Sequence, residues 1–401
     1  MPDNSELCWT NHTPRRAQDT GSDRYGRLMR IVIPKETRSG ERRVAIVPDV
    51  VGRLRKEGLE VIVESGAGLH AQASDTAYTA AGAEVLSGAT FITALNGADV
   101  VATVSPLTPE QMSSLKKGAI TISFLPLTTA QATIEAAKTA NVTAFSLELI
   151  PRISRAQSMD ALSSQALCAG YRAALMGAEL SPRFFPLLMT AAGTVTPAQV
   201  LILGAGVAGL QAIATARRLG AVVSAYDVRP ASADEVRSMG ATFIELELEA
   251  LEGTGGYARE MDADRAQRQR DLLAPYIRNS DVVITTAAVP GRPAPRLITA
   301  DMLEGMKAGS VIIDLAAETG GNVEGSVAGE TITTDAGLTI WGGKDVPSQL
   351  SFHASQLYSR NVVNLLLLMT AEGVVTVDLE DEIIDGSAVT HDGTIRKGVS
   401  A

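Results

Sequence analysis

The sequence predicts an α/β protein with two Rossmann-like domains, each built on a parallel sheet. Three observations predict it. Strand-length apolar runs alternate with helix-length segments along most of the chain. Hydrophobic residues make up 45% of the sequence but aromatics only 4%, so the core rests on Val, Leu, Ile and Ala, as in sheets buried on both faces. A glycine-rich turn, Gly204-Ala-Gly206-Val207-Ala-Gly209, joins one such strand to one such helix.

The alternation begins at Met29. Residues 1–28 are polar and carry acids, unlike a signal peptide, and they read as a disordered leader. Residues 30–33, 60–64, 100–104, 119–124 and 142–145 read as strands. Residues 48–57, 74–81, 108–116 and 128–139 read as the helices between them. An irregular polar segment, 149–160, interrupts the pattern, and a helix from Ala161 to about Glu179 bridges into a second unit. There the strands 200–203, 222–226, 282–286, 310–314, 331–333 and 339–341 alternate with helices at 208–219 and 264–278. A last helix, 352–370, is expected to return to the first unit. The division is then 29–165 plus 352–401 for a discontinuous N-terminal domain, and 166–351 for the second.

With 401 residues the chain is long enough for two such domains. Asp and Glu outnumber Lys and Arg by 45 to 35, which argues against nucleic acid as a main partner. The two cysteines, Cys8 and Cys168, fall in unlike surroundings and predict no disulfide. The four histidines are scattered, and no metal site is predicted. The richest apolar stretch, around Leu365–Met369, is too short to span a bilayer.

The glycine turn carries the chemistry. Gly204 permits the tight turn, Gly206 lets a pyrophosphate approach the backbone, and Gly209 lets helix and strand close on each other. The helix that starts at Val207 presents free N–H groups and a positive dipole end to phosphates. Asp227 follows Gly209 by 18 residues, at the end of the next strand. Its carboxylate is placed to accept from the adenosine ribose hydroxyls and to repel a 2′-phosphate, which favours NAD(H) over NADP(H). Val228 and Arg229 adjoin it, and Arg229 leaves tolerance of a phosphate open. A glycine-rich surface turn beside an incidental Asp is the competing reading. Ala288, at a later strand end, is expected to line the same crevice, with Gln269 a weaker candidate.

Longer motifs resemble a known group. Ile33-Pro-Lys-Glu-Thr-Arg-Ser-Gly-Glu-Arg-Arg-Val-Ala-Ile46 and Glu64-Ser-Gly-Ala-Gly68 resemble the opening shared by alanine dehydrogenases and the NAD(H)-binding component of proton-translocating NAD(P) transhydrogenase. Val289-Pro-Gly-Arg-Pro-Ala-Pro295 and the run from Ile313 to Glu324 are similar in kind to both. The resemblance covers roughly residues 30 to 375. It implies NAD bound in the cleft between two domains.

The chemistry divides the two families. An alanine dehydrogenase needs a cation for the substrate carboxylate and an acid/base near the reacting carbon. Its Lys and His are absent here, where Val101-Ala-Thr-Val-Ser105-Pro106 and Ser123-Phe-Leu-Pro126 stand. Glu318 occupies the place of the acid before the Gly-Gly pair, and Arg43 remains. In contrast, Pro151-Arg-Ile-Ser-Arg-Ala-Gln-Ser-Met-Asp-Ala-Leu-Ser-Ser-Gln165 resembles the Arg-Gln-Asp loop of the transhydrogenase NAD(H) subunit. By that resemblance Arg152, Gln157, Asp160 and Ser163 surround the nicotinamide. Gln157 is the residue expected to reach the second nucleotide, and an Arg152–Asp160 pair is expected to fix orientation. Direct hydride transfer between two nicotinamides needs no acid or base, which accounts for the missing Lys and His.

One dinucleotide fingerprint is present, so the resemblance implies NADP(H) on a partner subunit and a proton path in transmembrane partner subunits. It also implies a homodimer, located in the cytoplasm at the inner face of the membrane. The segment containing Gly253, Gly255, Gly256, Tyr257 and Met261 resembles the family's mobile loop. The alternative function is that of an alanine dehydrogenase-like NAD-dependent enzyme.

Overall fold

A computed structural model describes residues 28–247, 263–288 and 292–397. The first half runs β1 (Arg30–Ile33), α1 (Pro48–Lys56), β2 (Glu60–Glu64), α2 (Asp75–Ala81), β3 (Glu84–Leu86), α3 (Gly88–Asn96), β4 (Val100–Ala102), α4 (Pro109–Ser114), β5 (Ile120–Ser123), α5 (Gln131–Thr139) and β6 (Thr143–Ser146). A long helix α6 (Ala161–Leu180) and a hairpin of β7 (Leu188–Thr190) and β8 (Gly193–Val195) follow.

The second half runs β9 (Gln199–Leu203), α7 (Val207–Arg218), β10 (Val222–Tyr226), α8 (Ser232–Ser238), β11 (Thr242–Phe243), α9 (Ala263–Asn279), β12 (Val282–Thr285), α10 (Ala300–Glu304), β13 (Val311–Asp314), β14 (Thr331–Thr333) and β15 (Thr339–Gly342). The chain then returns through α11 (Ser351–Leu368), the short pair β16 (Thr370–Ala371) and β17 (Val374–Val375), α12 (Glu382–Ser387), β18 (Ala388–His391) and β19 (Thr394–Ile395).

Two sheets result. The eight-stranded one has the order β19-β18-β6-β5-β4-β1-β2-β3, and the seven-stranded one β11-β10-β9-β12-β13-β15-β14. From β3 to β6 and from β11 to β15 every neighbouring pair is parallel, while β18, β19 and β14 pair antiparallel. Strand order reverses between β1 and β4 and again between β9 and β12. Each reversal opens a crevice at the C-terminal strand ends, where α/β proteins bind ligands.

Burial explains why these segments form strands. In β1, Ile31 and Ile33 enter the core on one face and Val32 the core on the other. In β9, Val200 and Ile202 face one core, and Leu201 and Leu203 the other. Successive side chains alternate faces, so only a run that is apolar throughout satisfies both.

Helix α6 belongs to both cores. Ala161 lies in the core beneath the first sheet, and Ala173, Ala174 and Met176 lie in that of the second. Helix α11 returns Tyr358, Val362, Val363, Leu365 and Leu366 to the first core.

The structure revises several elements. The segment read as irregular contains 3-10 turns at Leu147–Leu149 and Ser154–Met159. Ala156 and Met159 are buried there, three residues apart, matching the three-residue period of that turn. Strand β3, helix α3 and both short hairpins had no counterpart in the sequence reading, because three-residue strands are too short to show a period. Helix α5 begins at Gln131, later than residue 128.

Candidate functional site

The second crevice collects the glycine turn and its neighbours. In parallel register Leu203 lies beside Tyr226 and Thr285, and Thr285 beside Asp314. The residues that follow β9, β10, β12 and β13 therefore share one edge.

Gly204 has φ +103°, a left-handed conformation that favours glycine. A Cβ there would meet Thr286 Oγ1 at 2.6 Å. Thr286 Oγ1 donates to the Gly204 carbonyl at 3.0 Å and clamps the turn. A Cβ on Gly209 would collide with that same carbonyl, so helix α7 closes on the turn only through a glycine. Gly206, at the N-cap of α7, is different: a Cβ there would meet open space, leaving bare backbone to be approached from outside. The first-turn N–H groups of α7, beginning with the exposed Val207, have no acceptors inside the helix.

Asp227 is held tightly. Oδ1 accepts from Arg229 N at 2.8 Å and Nε at 2.9 Å; Oδ2 accepts from Ala205 N at 2.7 Å and Arg229 Nη2 at 3.0 Å. The carboxylate ties the glycine turn to the end of β10. The hydrogen bond to Asp227 raises the Arg229 guanidinium above its ordinary value. Val228 packs against the outer core of this sheet.

Past β12, Ala288 is exposed at the crevice edge. Asn322 Nδ2 donates to the carbonyls of Ala287 and Pro295, each at 2.8 Å. Asp314, fully buried, accepts from Thr285 Oγ1 at 3.0 Å and from the N–H groups of Ala316, Asn322 and Val323. Asp314 and Asn322 thus fix the strand end that carries Ala288. Their positioning role escaped the sequence reading, although both lie in a motif it singled out. Gln269, on α9, is 3% exposed, and its Oε1 has no partner among the described residues. Gly256, Tyr257 and Val289 lie outside the described residues.

The loop that carries Arg152 and Gln157 is anchored from below. Arg155 binds Asp381 through both terminal nitrogens at 2.5 and 3.1 Å, and Asn361 and Asn364 donate to the Ser158 carbonyl. Arg152 and Gln157 are exposed. Asp160 caps α6: Oδ1 accepts from Ser163 N at 2.9 Å and Oδ2 from Ser163 Oγ at 2.6 Å. Both oxygens of Asp160 therefore serve Ser163. Helix α6 then runs to α7, where Gly170 meets Ala208. Ten residues separate Asp160 from Gly170, or roughly 15 Å along the helix axis.

The first crevice is filled by ions. Arg43, 8% exposed, gives Nη2 to Glu41 Oε2 at 2.7 Å and Nε to Glu41 Oε1 at 2.8 Å, and Nη1 to Gln165 Oε1 at 2.8 Å. The Phe124 ring lies 5.8 Å from its guanidinium carbon. Burial raises Glu41, but the hydrogen bond and charge of Arg43, with Ser348, overcome it and hold the carboxyl down at about 2. Glu36 accepts from Val104 N and Ser105 N. Burial nevertheless pushes its carboxyl up to about 7, with the Glu41 charge adding. Arg38 joins Ser105, Glu41 and, at 2.5 Å, Asp345, whose own N–H binds Glu318. Among the described residues no group of three His, Cys, Asp or Glu side chains is placed to hold a metal.

The fold and this edge define a two-sheet α/β protein with a dinucleotide-type glycine crevice. Residues 32–169 match the family described as "Alanine dehydrogenase/PNT, N-terminal domain", and residues 173–398 match "Alanine dehydrogenase/PNT, C-terminal domain". The chain belongs to the alanine dehydrogenase/PNT family. It is 49% identical over 377 residues to an NAD(P) transhydrogenase subunit alpha chain of Rhodospirillum rubrum, covering 92% of this chain and 97% of that one. It is 31% identical to the alanine dehydrogenase of Bacillus subtilis over 74% of this chain and 72% of that one. The crystal structure of transhydrogenase from Sinorhizobium meliloti superposes with a TM-score of 0.82 at 44% identity, covering 91% of this chain and 99% of that one.

Proposed function

We propose that the chain is the NAD(H)-binding subunit of a proton-translocating NAD(P) transhydrogenase. In this reading it holds NADH in the cleft between two domains, 29–165 plus 352–401 and 166–351. The C4 hydride, carrying two electrons, passes directly to the C4 of NADP+ held on a partner subunit. Transmembrane partner subunits couple this to proton movement and keep the chain at the inner, cytoplasmic face of the membrane. Among the described residues no helix is long and apolar enough to cross a membrane.

The observation that carries the reading is the sealed state of Arg43. The family's alternative chemistry needs a cation free to take a substrate carboxylate. Here that guanidinium is buried and bound to Glu41 and Gln165. The positions read as lacking the dehydrogenase Lys and His are likewise engaged: Ser105 accepts from Arg38, and Phe124 lies against Arg43 and Tyr358. What remains is the glycine edge, which suits a nucleotide and, among the described residues, supplies no acid/base pair of its own. Catalysis then reduces to holding two rings aligned and excluding water. Arg152, Gln157, Asp160 and Ser163 are the residues we assign to the nicotinamide end. Gly204, Gly206, Val207, Gly209, Asp227, Val228, Arg229, Gly256, Tyr257, Gln269 and Ala288 are those we assign to the rest of the nucleotide.

A homodimer fits the hairpin β7–β8, where Met189 is 79% exposed and Phe184, Leu187 and Val195 are exposed beside it. The test is to mix the chain with an NADP(H)-binding transhydrogenase subunit and follow hydride transfer from NADH to an NADP+ analogue. No transfer with a competent partner would falsify the reading. Reduction of NAD+ by the chain alone with L-alanine would favour the amino-acid dehydrogenase.

A further inference from the structure

We propose that Arg229 is a resident competitor at the ribose end of the nucleotide site: its guanidinium occupies, on Asp227, the acceptor positions that the adenosine ribose hydroxyls of NAD(H) require, and exchanges with them when nucleotide binds. The inference rests on the assignment of NAD(H) to the glycine crevice.

A carboxylate offers about four lone-pair positions, two on each oxygen. On Asp227 all four are filled, two on Oδ1 by Arg229 N and Nε, and two on Oδ2 by Ala205 N and Arg229 Nη2. The donors are not equivalent. Ala205 N and Arg229 N belong to the backbone of the turn and the strand end, so removing them means unmaking the fold. Nε and Nη2 belong to a side chain that is 24% exposed, outside a carboxylate that is only 7% exposed. A ribose diol reaching Asp227 therefore takes the places of Nε and Nη2. One site on each oxygen is exchanged, which suits two adjacent hydroxyls.

Two consequences follow. NAD(H) affinity is lowered by the cost of breaking two charge-assisted hydrogen bonds. The displaced guanidinium also stays tethered two residues from Asp227, beside the ribose. There it offsets the repulsion that Asp227 exerts on a 2′-phosphate. One residue thus weakens binding of the favoured nucleotide and blunts discrimination against the other.

The experiment is equilibrium titration of NADH and NADPH against the full chain, as wild type, Arg229→Ala and Arg229→Lys, with unfolding midpoints taken on the same preparations. Removing the guanidinium is expected to tighten NADH binding about tenfold and to weaken NADPH binding, with Arg229→Lys in between because a point charge lacks the two-pronged geometry. Wild type that binds NADH, with Arg229→Ala and Arg229→Lys both binding it more weakly, overturns the inference and makes Arg229 a nucleotide ligand instead. Wild type that binds no NADH overturns the site assignment and the inference together. If Arg229→Ala does not fold, Arg229→Lys decides by the sign of its NADH shift.

Discussion

Gly170, midway along α6, lies against the backbone of Ala208 in the first turn of α7, so close that a Cβ would overlap the Ala208 carbonyl. The helix that begins at Asp160 is thereby set against the helix that begins at the glycine turn. Substituting Gly170 by Ala adds about 1 kcal/mol of helix propensity but forces the two helices apart. NADH affinity is expected to fall about tenfold, or roughly 1.4 kcal/mol, by equilibrium titration. Unchanged affinity would show that α6 does not position the turn.

Asp160 serves Ser163 as a helix cap, and we also assign it to the nicotinamide end. Asp160→Ala should cost about 1 kcal/mol in denaturant unfolding, the usual value of a lost cap. Asp160→Asn keeps a capping oxygen and should restore most of that stability. Its partner-dependent hydride transfer should stay low, because the carboxylate charge is gone. Full recovery of transfer by Asn would reduce Asp160 to a cap.

Glu36 makes stability depend on pH. Burial holds its folded carboxyl at about 7, against an ordinary 4.5. The folded state therefore binds its proton more tightly than the unfolded state. This favours folding fully below the ordinary value and is lost as pH rises through about 7. Glu36→Gln, neutral at every pH, should gain on the wild type by about 1–3 kcal/mol between pH 5 and 8. Glu41 is ionised throughout that window, and its contribution is lost only as pH falls below the ordinary carboxylate range toward about 2. Unfolding free energies of both proteins across pH check this; a constant difference would refute it.

The Arg43–Glu41 pair should behave as a buried unit. Arg43→Met leaves Glu41 charged and without its main partner, at an expected loss of about 3–5 kcal/mol. Arg43→Met with Glu41→Gln removes both charges and should recover most of that loss. Chemical denaturation of the single and double variants measures it. A double variant no better than the single would mean that Arg43 acts through packing on Phe124.

The fold class and the glycine edge were legible because their signals are local. Strand, turn, helix and Asp227 fall within a single run from Val200 to Asp227, each carrying its own pattern. The short elements were not legible: β3, β7 and β8 have three residues each, and the exposed hairpin has no buried face to impose alternation. The anchoring of the 154–159 turn was hidden for another reason. Arg155 and Asp381 are 226 residues apart, and no local rule pairs them. The occupancy of Asp227 was also out of reach. Its neighbour Arg229 was visible, but whether that guanidinium turns toward the carboxylate or away from it is settled only in three dimensions. The same holds for Arg43, whose presence the motif showed and whose confinement by Glu41 and Gln165 it did not.

The chain passes between the two sheets twice, outward along α6 and back through the turn Val346–Leu350 into α11. These segments lie side by side and are cross-linked by Ser164 to Asn361, Gln165 to the Ala354 carbonyl and Arg172 to Gln349. Two bonded rods make a spine, as in a book. Opening about the spine bends both rods together, whereas twisting one cover against the other shears all three cross-links. The separation of the sheets is thereby governed by one angle, and a single pair of distance labels across the covers would follow the whole motion.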